Sequence, residues 1–346
     1  MKKQIIGILA VLLIGALIFA GHSEASESKK TIELKYSAFC NPSMAIGKIL
    51  EQFADRVYKE SDGRLKITLF FSQSLSKLQD NSKAVRSGIA DMCEYNVGSS
   101  AGLEELSRVT QLPFMGHTSY EEANSVFLQL YQKFPEIQRE WNGLKILTVR
   151  HHLGFHFNFT EKEVHLPEDM KGMKIISSPA YVNFLRSVGA APVEVGFGDW
   201  YMSLERGLVK ALPTHFVAVL DMGLMDLFKT HTIFGASGCS NAAEVILINQ
   251  DVWNGLPSDL QQILEDAAKW RNETVITSDV EREKIAFQTA KEKNHKLIYL
   301  TPEELKVWKD SAKKTEHSKW LEDNASRGPS QVIYDETLKL IQSYAK

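Results

Sequence analysis

Three histidines lie close together in this chain, at His151, His152 and His156. Clustered imidazoles can ligate a metal or exchange protons. The surrounding pattern argues against a shared metal. From Lys145 to Thr160, apolar Leu147, Val149, Phe155, Phe157 and Phe159 alternate with Arg150, His152, His156 and Asn158. This period of two predicts one long strand, or two strands with a break near Gly154. His151 then points away from the other two. His152 and His156 fall about 13 Å apart at ~3.3 Å per residue, too far to share a zinc ion unless a bulge intervenes. The polar face is better suited to contacting a ligand with Arg150, His156 and Asn158. No GxSxG, GxGxxG after a strand, P-loop or HExxH occurs, so no catalytic residue, metal or cofactor is expected.

Most carboxylates accompany Lys or Arg on helical faces, the pattern of a solvated surface. Asp91 and Glu94 instead sit in the apolar run Ile89–Tyr95. Asp91, near the strand start, reads as structural. Glu94 and Tyr95 lie toward the C-terminal end, where sheet–helix folds hold their ligands. Phe39 and Asn41, at the end of Ile32–Phe39, are expected there for the same reason. Phe197 and Trp200 flank Gly198-Asp199 at a strand-to-helix junction, where side chains either line a pocket or join the core. Cys40 and Cys93 are either a disulfide pair or, with Cys239, buried thiols acting as small hydrophobes.

The elements that must position these groups follow from composition and pattern. The chain has 346 residues, 44% hydrophobic and 24% charged, with a net charge of −3. That is globular composition, with length for about two domains and no basic surface for nucleic acid. Lys2 and Lys3, the apolar run Ile5–Ala20 and small residues at Ser23 and Ala25 read as a signal peptide over residues 1–25, because the run is shorter than the roughly 20 residues of a membrane span. An exported, periplasmic protein is expected. Ile32–Phe39, Leu65–Phe71 and Ile89–Tyr95 alternate with helical segments, the signature of a parallel sheet covered by helices. A second strand–helix region covers 150–235. Thr230–Ile248 reads as a crossover strand, and the chain beyond Gln250 as mostly helical. Ser178-Pro179 reads as the N-cap and first residue of a helix.

Several stretches in order resemble the DctP-like solute-binding proteins of tripartite ATP-independent periplasmic (TRAP) transporters. They include Gly88-Ile89-Ala90-Asp91-Met92, Leu112-Pro113-Phe114-Met115, Leu166-Pro167-Glu168-Asp169-Met170-Lys171-Gly172, Phe197-Gly198-Asp199-Trp200-Tyr201 and Asn249-Gln250-Asp251-Val252-Trp253. The resemblance implies a two-lobe α/β periplasmic binding protein fold, type II-like, with the lobes joined by crossing strands and a long helix. Lobe 1 is placed at 26–149 with part of 236–280, lobe 2 at 150–235, and helices spanning and packing on both lobes at 250–346. It implies a solute held in the interlobe cleft and delivered to a small and a large membrane subunit, without covalent chemistry. A monomer is expected, with no nucleic-acid partner.

The departures from that family bear on the solute. Ile176 stands where the family usually reads a carboxylate with Arg, His156 where a second Arg is frequent, and Thr214 where an Asn contacts solute; Phe197 is kept. An arginine's planar fork pairs bidentately with a carboxylate, which Ile176 cannot do. His156, if protonated, would be the substitute cation, helped by Arg150 or Lys174 and by backbone N–H groups near Ser178; otherwise it is a neutral part of the wall. An organic anion is expected. The alternatives are an aromatic, sulfonated, neutral or amine-bearing solute, or a sensory receptor on the same fold. An exported enzyme is a further class, resting on the histidines and cysteines alone.

Overall fold

The computed structural model describes residues 31–344 except 101, 153 and 178–180. The expected signal peptide, Ser178 and Pro179 therefore lie outside the described residues. Eleven strands are described there: β1 (Ile32–Ser37), β2 (Leu65–Phe70), β3 (Met92–Asn96), β4 (Leu144–His152), β5 (His156–Phe159), β6 (Lys174–Ile176), β7 (Ala191–Val193), β8 (Ala211–Thr214), β9 (Thr230–Ile233), β10 (Ala242–Asn249) and β11 (Lys296–Tyr299). They form two sheets, ordered β2-β1-β3-β10-β4 and β11-β9-β5-β8-β6-β7.

The long alternating segment is two strands, β4 in the first sheet and β5 in the second. The turn between them uses Gly154 at φ +77°, a conformation that L side chains rarely adopt. Thr230–Ile248 is likewise not one crossover strand. β9 closes in the second sheet and β10 opens in the first, with residues 234–241 between. The two crossing segments run side by side: Gly154 N–H donates to the Ser237 carbonyl at 3.1 Å, and Cys239 N–H to that of Phe155 at 2.8 Å. A Cβ on Gly238 would lie 2.4 Å from the Phe155 backbone, so only glycine permits this approach.

One helix, Ser258–Glu292, has 35 residues and at 1.5 Å per residue is about 50 Å long. Its Leu260, Leu264, Ala267 and Ala268 pack into the core beneath the first sheet. Its Ala286 and Ala290 pack into the second core. Helix Pro302–Ala312 buries Trp308 against the second sheet, and Ser330–Tyr344 packs Ile333, Tyr334 and Ile341 against the first lobe. Asp91 is structural: its carboxylate accepts from the Lys35 N–H at 2.7 Å. Cys40, Cys93 and Cys239 are buried free thiols.

Candidate functional site

A cavity of about 510 Å³ lies where the sheets face each other, within the range of small-molecule sites. The first lobe contributes apolar Phe39, Met44, Ile46 and Leu78, and polar Asn96, Ser99, Arg108 and Gln111. The second contributes Ile176, Tyr181, Arg186, Phe197, Trp200 and Thr214. The crossing segments add Arg150, His152, Phe155 and Asn241, and the long helix adds Asp279. Phe39 and Phe197 meet across the cleft edge to face, with ring centroids 5.5 Å apart. Trp200 lies 5.0 Å from Phe197, and its indole N–H donates to the Val195 carbonyl at 3.2 Å.

Behind the cavity lies a buried chain of charges. In-register pairing sets Asn96, Glu244 and Arg150 in one row across β3, β10 and β4. Arg150 is 3.0 Å from Glu244 and 2.7 Å from Asp279. Arg271 of the long helix pairs with Glu94 and lies 3.3 Å from Glu244. Burial pushes the Glu244 carboxyl up, but Arg150 and His152 outweigh it and hold the pKa down at about 2. His152 stacks on His215, centroids 5.0 Å apart. Burial above all, then His152 and Arg150, keeps His215 well below the usual histidine range, and its Nδ1 accepts from the Ala218 N–H.

The expected site residues divide. Phe39, Arg150, Ile176, Phe197, Trp200 and Thr214 line the cavity. Five others do not. Glu94 is fully buried against Arg271. Tyr95, one residue on, points to the opposite face and donates to Glu104 at 2.6 Å. Asn41 is exposed and accepts from Ser43. Asn158 donates to the Leu212 and Thr214 carbonyls and pairs with His231 at 2.7 Å. His156 is 1% exposed, ringed by Phe216, Phe234 and Phe287. Burial drops its pKa to about 3, so it is neutral at pH 7 and does not act as the substitute cation. The break at Gly154 is the cause: it moves His156 and Asn158 into the second sheet, away from Arg150 and His152.

The cavity also takes residues that strand-end reasoning missed. Asn96 follows Glu94 by two positions on the same face, so the signal was the alternation itself carried one step further. Arg108 lies on the short 3-10 helix Ser107–Gln111 and Asn241 on an irregular segment, both too short or too irregular for a periodic signal. Among the cavity's arginines, Arg108 is paired with Glu105 at 3.0 Å and Arg150 with two carboxylates. Arg186, on helix Val182–Ser187, is exposed at the cavity and has no carboxylate partner among the described residues.

The model of the bacterial extracellular solute-binding proteins, family 7 (DctP), matches residues 36–323. The chain belongs to this family. Its members are the solute receptors of TRAP transporters rather than enzymes. The C4-dicarboxylate-binding periplasmic protein DctP of Rhodobacter capsulatus is 22% identical over 303 residues, 86% of this chain and 89% of that one. The crystal structure of a TRAP solute-binding protein from Rhodoferax ferrireducens T118, with copurified benzoate, aligns with a TM-score of 0.80 at 21% identity, covering 91% of this chain and 99% of that one. A marine metagenome TRAP protein specific for aromatic acid ligands, crystallised with 3-hydroxybenzoate, gives 0.81 at 21% identity, covering 92% and 100%. These likenesses show the two-lobe fold of this family-7 receptor.

Proposed function

We propose that this family-7 receptor captures a small organic acid with an apolar or aromatic body between its lobes and passes it, unaltered, to TRAP membrane subunits. The observation that carries this is Arg186. It is the cavity arginine whose charge no described carboxylate already neutralises, and a guanidinium binds a carboxylate bidentately. It takes over the task for which Ile176 is unsuited. Phe39, Phe197, Trp200 and Ile176 provide the apolar surface for the body of the solute. The dicarboxylate and aromatic-acid ligands named for the relatives support the same class.

The lobes are read as residues 31–152 with β10, and 156–233 with β11. The receptor works as a periplasmic monomer; among the described residues no helix is long and apolar enough to cross a membrane. A solute that touches both lobes stabilises the closed arrangement. Native mass spectrometry of freshly purified protein, followed by a thermal-shift screen of organic acids and neutral analogues, tests the reading. A retained acid, or stabilisation by acids that Arg186→Gln removes, is expected. Stabilisation by neutral or cationic compounds alone would overturn it.

A further inference from the structure

We infer that His215 binds the solute, donating a hydrogen bond from Nε2 to one of its oxygen atoms. The inference rests on the interlobe cavity being the solute site. His215 stands between β8 and the helix Phe216–Asp221 and caps that helix with its own side chain. The Ala218 N–H points at Nδ1 at 3.3 Å and also donates to the His215 carbonyl at 3.1 Å. A backbone N–H can only donate, so Nδ1 must be the unprotonated acceptor. A neutral imidazole then carries its proton on Nε2, because the bond made by one ring nitrogen fixes the role of the other. Burial, with His152 and Arg150 beside it, keeps the ring uncharged.

The neighbours hold the ring in one place and leave that donor unused. His152 of β4 stacks on it with centroids 5.0 Å apart, and Phe155 packs against it at 5.4 Å. The ring is part-exposed and lines the cavity. With its Nδ1 edge taken by the helix and its faces packed by other rings, the end it turns to the cavity is Nε2. No described residue accepts from that nitrogen. His215 and Arg186 would then read different properties of the same solute. Arg186 selects an anion by charge. A neutral N–H asks only for an acceptor: a carboxylate, carbonyl or amide oxygen fits it, and an ammonium, which only donates, does not. Substituting His215 should therefore weaken acids and their uncharged amides by a similar factor, whereas substituting Arg186 should weaken acids alone.

Calorimetric titration with benzoate, mandelate and succinate, and with benzamide, mandelamide and succinamide, tests this. His215→Phe keeps a ring against His152 but removes the donor. It should weaken every compound that binds by about fivefold or more, the loss of one hydrogen bond. His215→Gln, whose amide N–H can reach the place of Nε2, should stay within about threefold of the wild type. A loss shared equally by both variants would mark a role in packing alone and overturn the inference. If His215→Phe does not fold, as read by circular dichroism, nitrogen NMR of the wild-type histidines decides. The His215 signal, assigned by its absence in His215→Gln, should show the proton on Nε2 and shift when the tightest-binding of the six compounds is added. A proton on Nδ1, or no shift, overturns the inference. The amides separate it from the organic-acid reading. Acid binding that Arg186→Gln removes and His215→Phe leaves within twofold overturns the role of His215 while the acid reading stands. Binding of amides alone, lost in His215→Phe and kept in His215→Gln, supports His215 while the acid reading fails. No binding of any of the six compounds overturns the inference.

Discussion

Two of the buried polar systems, one under each sheet, solve the same problem in different ways. Under the first sheet, Glu94, Arg271, Glu244, Arg150 and Asp279 form a run of ion pairs, each partner handing on to the next. Under the second, burial keeps His156 and His231 neutral, with the uncharged amide of Asn158 between them and the backbone. The His231 Nδ1 meets Asn158 at 2.7 Å and its Nε2 meets His295 at 3.0 Å. Burial brings His231 to about 3, as it does His156. The difference follows from what each site offers. The first network has arginines in reach of each carboxylate, so ionisation is compensated. The second has aromatic rings and backbone carbonyls, which compensate no charge. Only the charged system touches the cavity, through Arg150 and Asp279.

The largest expected effect breaks the charged system. Arg271→Met leaves Glu94 buried without its partner and should cost about 3–5 kcal/mol of stability, measured by urea unfolding. Adding Glu94→Gln should recover a large part. If the double variant is no more stable than the single, the pair is not coupled as described.

Acid should separate the two systems next. Both histidines have folded pKa values lowered from 6.5 to about 3. The unfolded chain therefore takes up protons first, and the stability present above pH 6.5 is lost as pH falls toward 3. The loss is on the order of 1 kcal/mol per pH unit for each histidine. Glu244, lowered from 4.5 to about 2, has the same sign but loses its contribution only below pH 4.5. Unfolding free energy should thus fall measurably between pH 6.5 and 5, and His156→Phe should flatten that part of the curve. A level profile from pH 7.5 to 5 would contradict the neutral-histidine description.

A smaller effect concerns binding. Arg186→Gln should weaken an organic acid by about tenfold or more, the loss of a charge-assisted contact of roughly 1.5–3 kcal/mol, with little change in melting temperature of the free protein. The smallest effect sharpens the contrast. His156→Gln should leave solute affinity at pH 7.5 within about twofold of the wild type, because His156 lies outside the cavity lining. A tenfold change there, by calorimetry, would place His156 back at the site.

The sequence by itself determined much of the frame. Apolar periodicity located the early strands to within three residues at either end, and the ordered family stretches gave the two lobes, the long helix and the class of function. At the site, strand-to-helix junctions and family positions were legible, so Phe197, Trp200, Thr214 and Ile176 were found in the cavity wall. Periodicity reports which face of an element is apolar, but not which sheet the element enters. Residues 145–160 alternate without interruption, yet one left-handed glycine sends Arg150 to the cavity and His156 into a different core. Nor could the sequence tell that Glu94, a carboxylate in an apolar strand, would meet Arg271, 177 residues away. Partners that distant are brought together only by closure of the tertiary structure, and they decide which charges are paired within the fold and which, such as Arg186, have no carboxylate partner among the described residues.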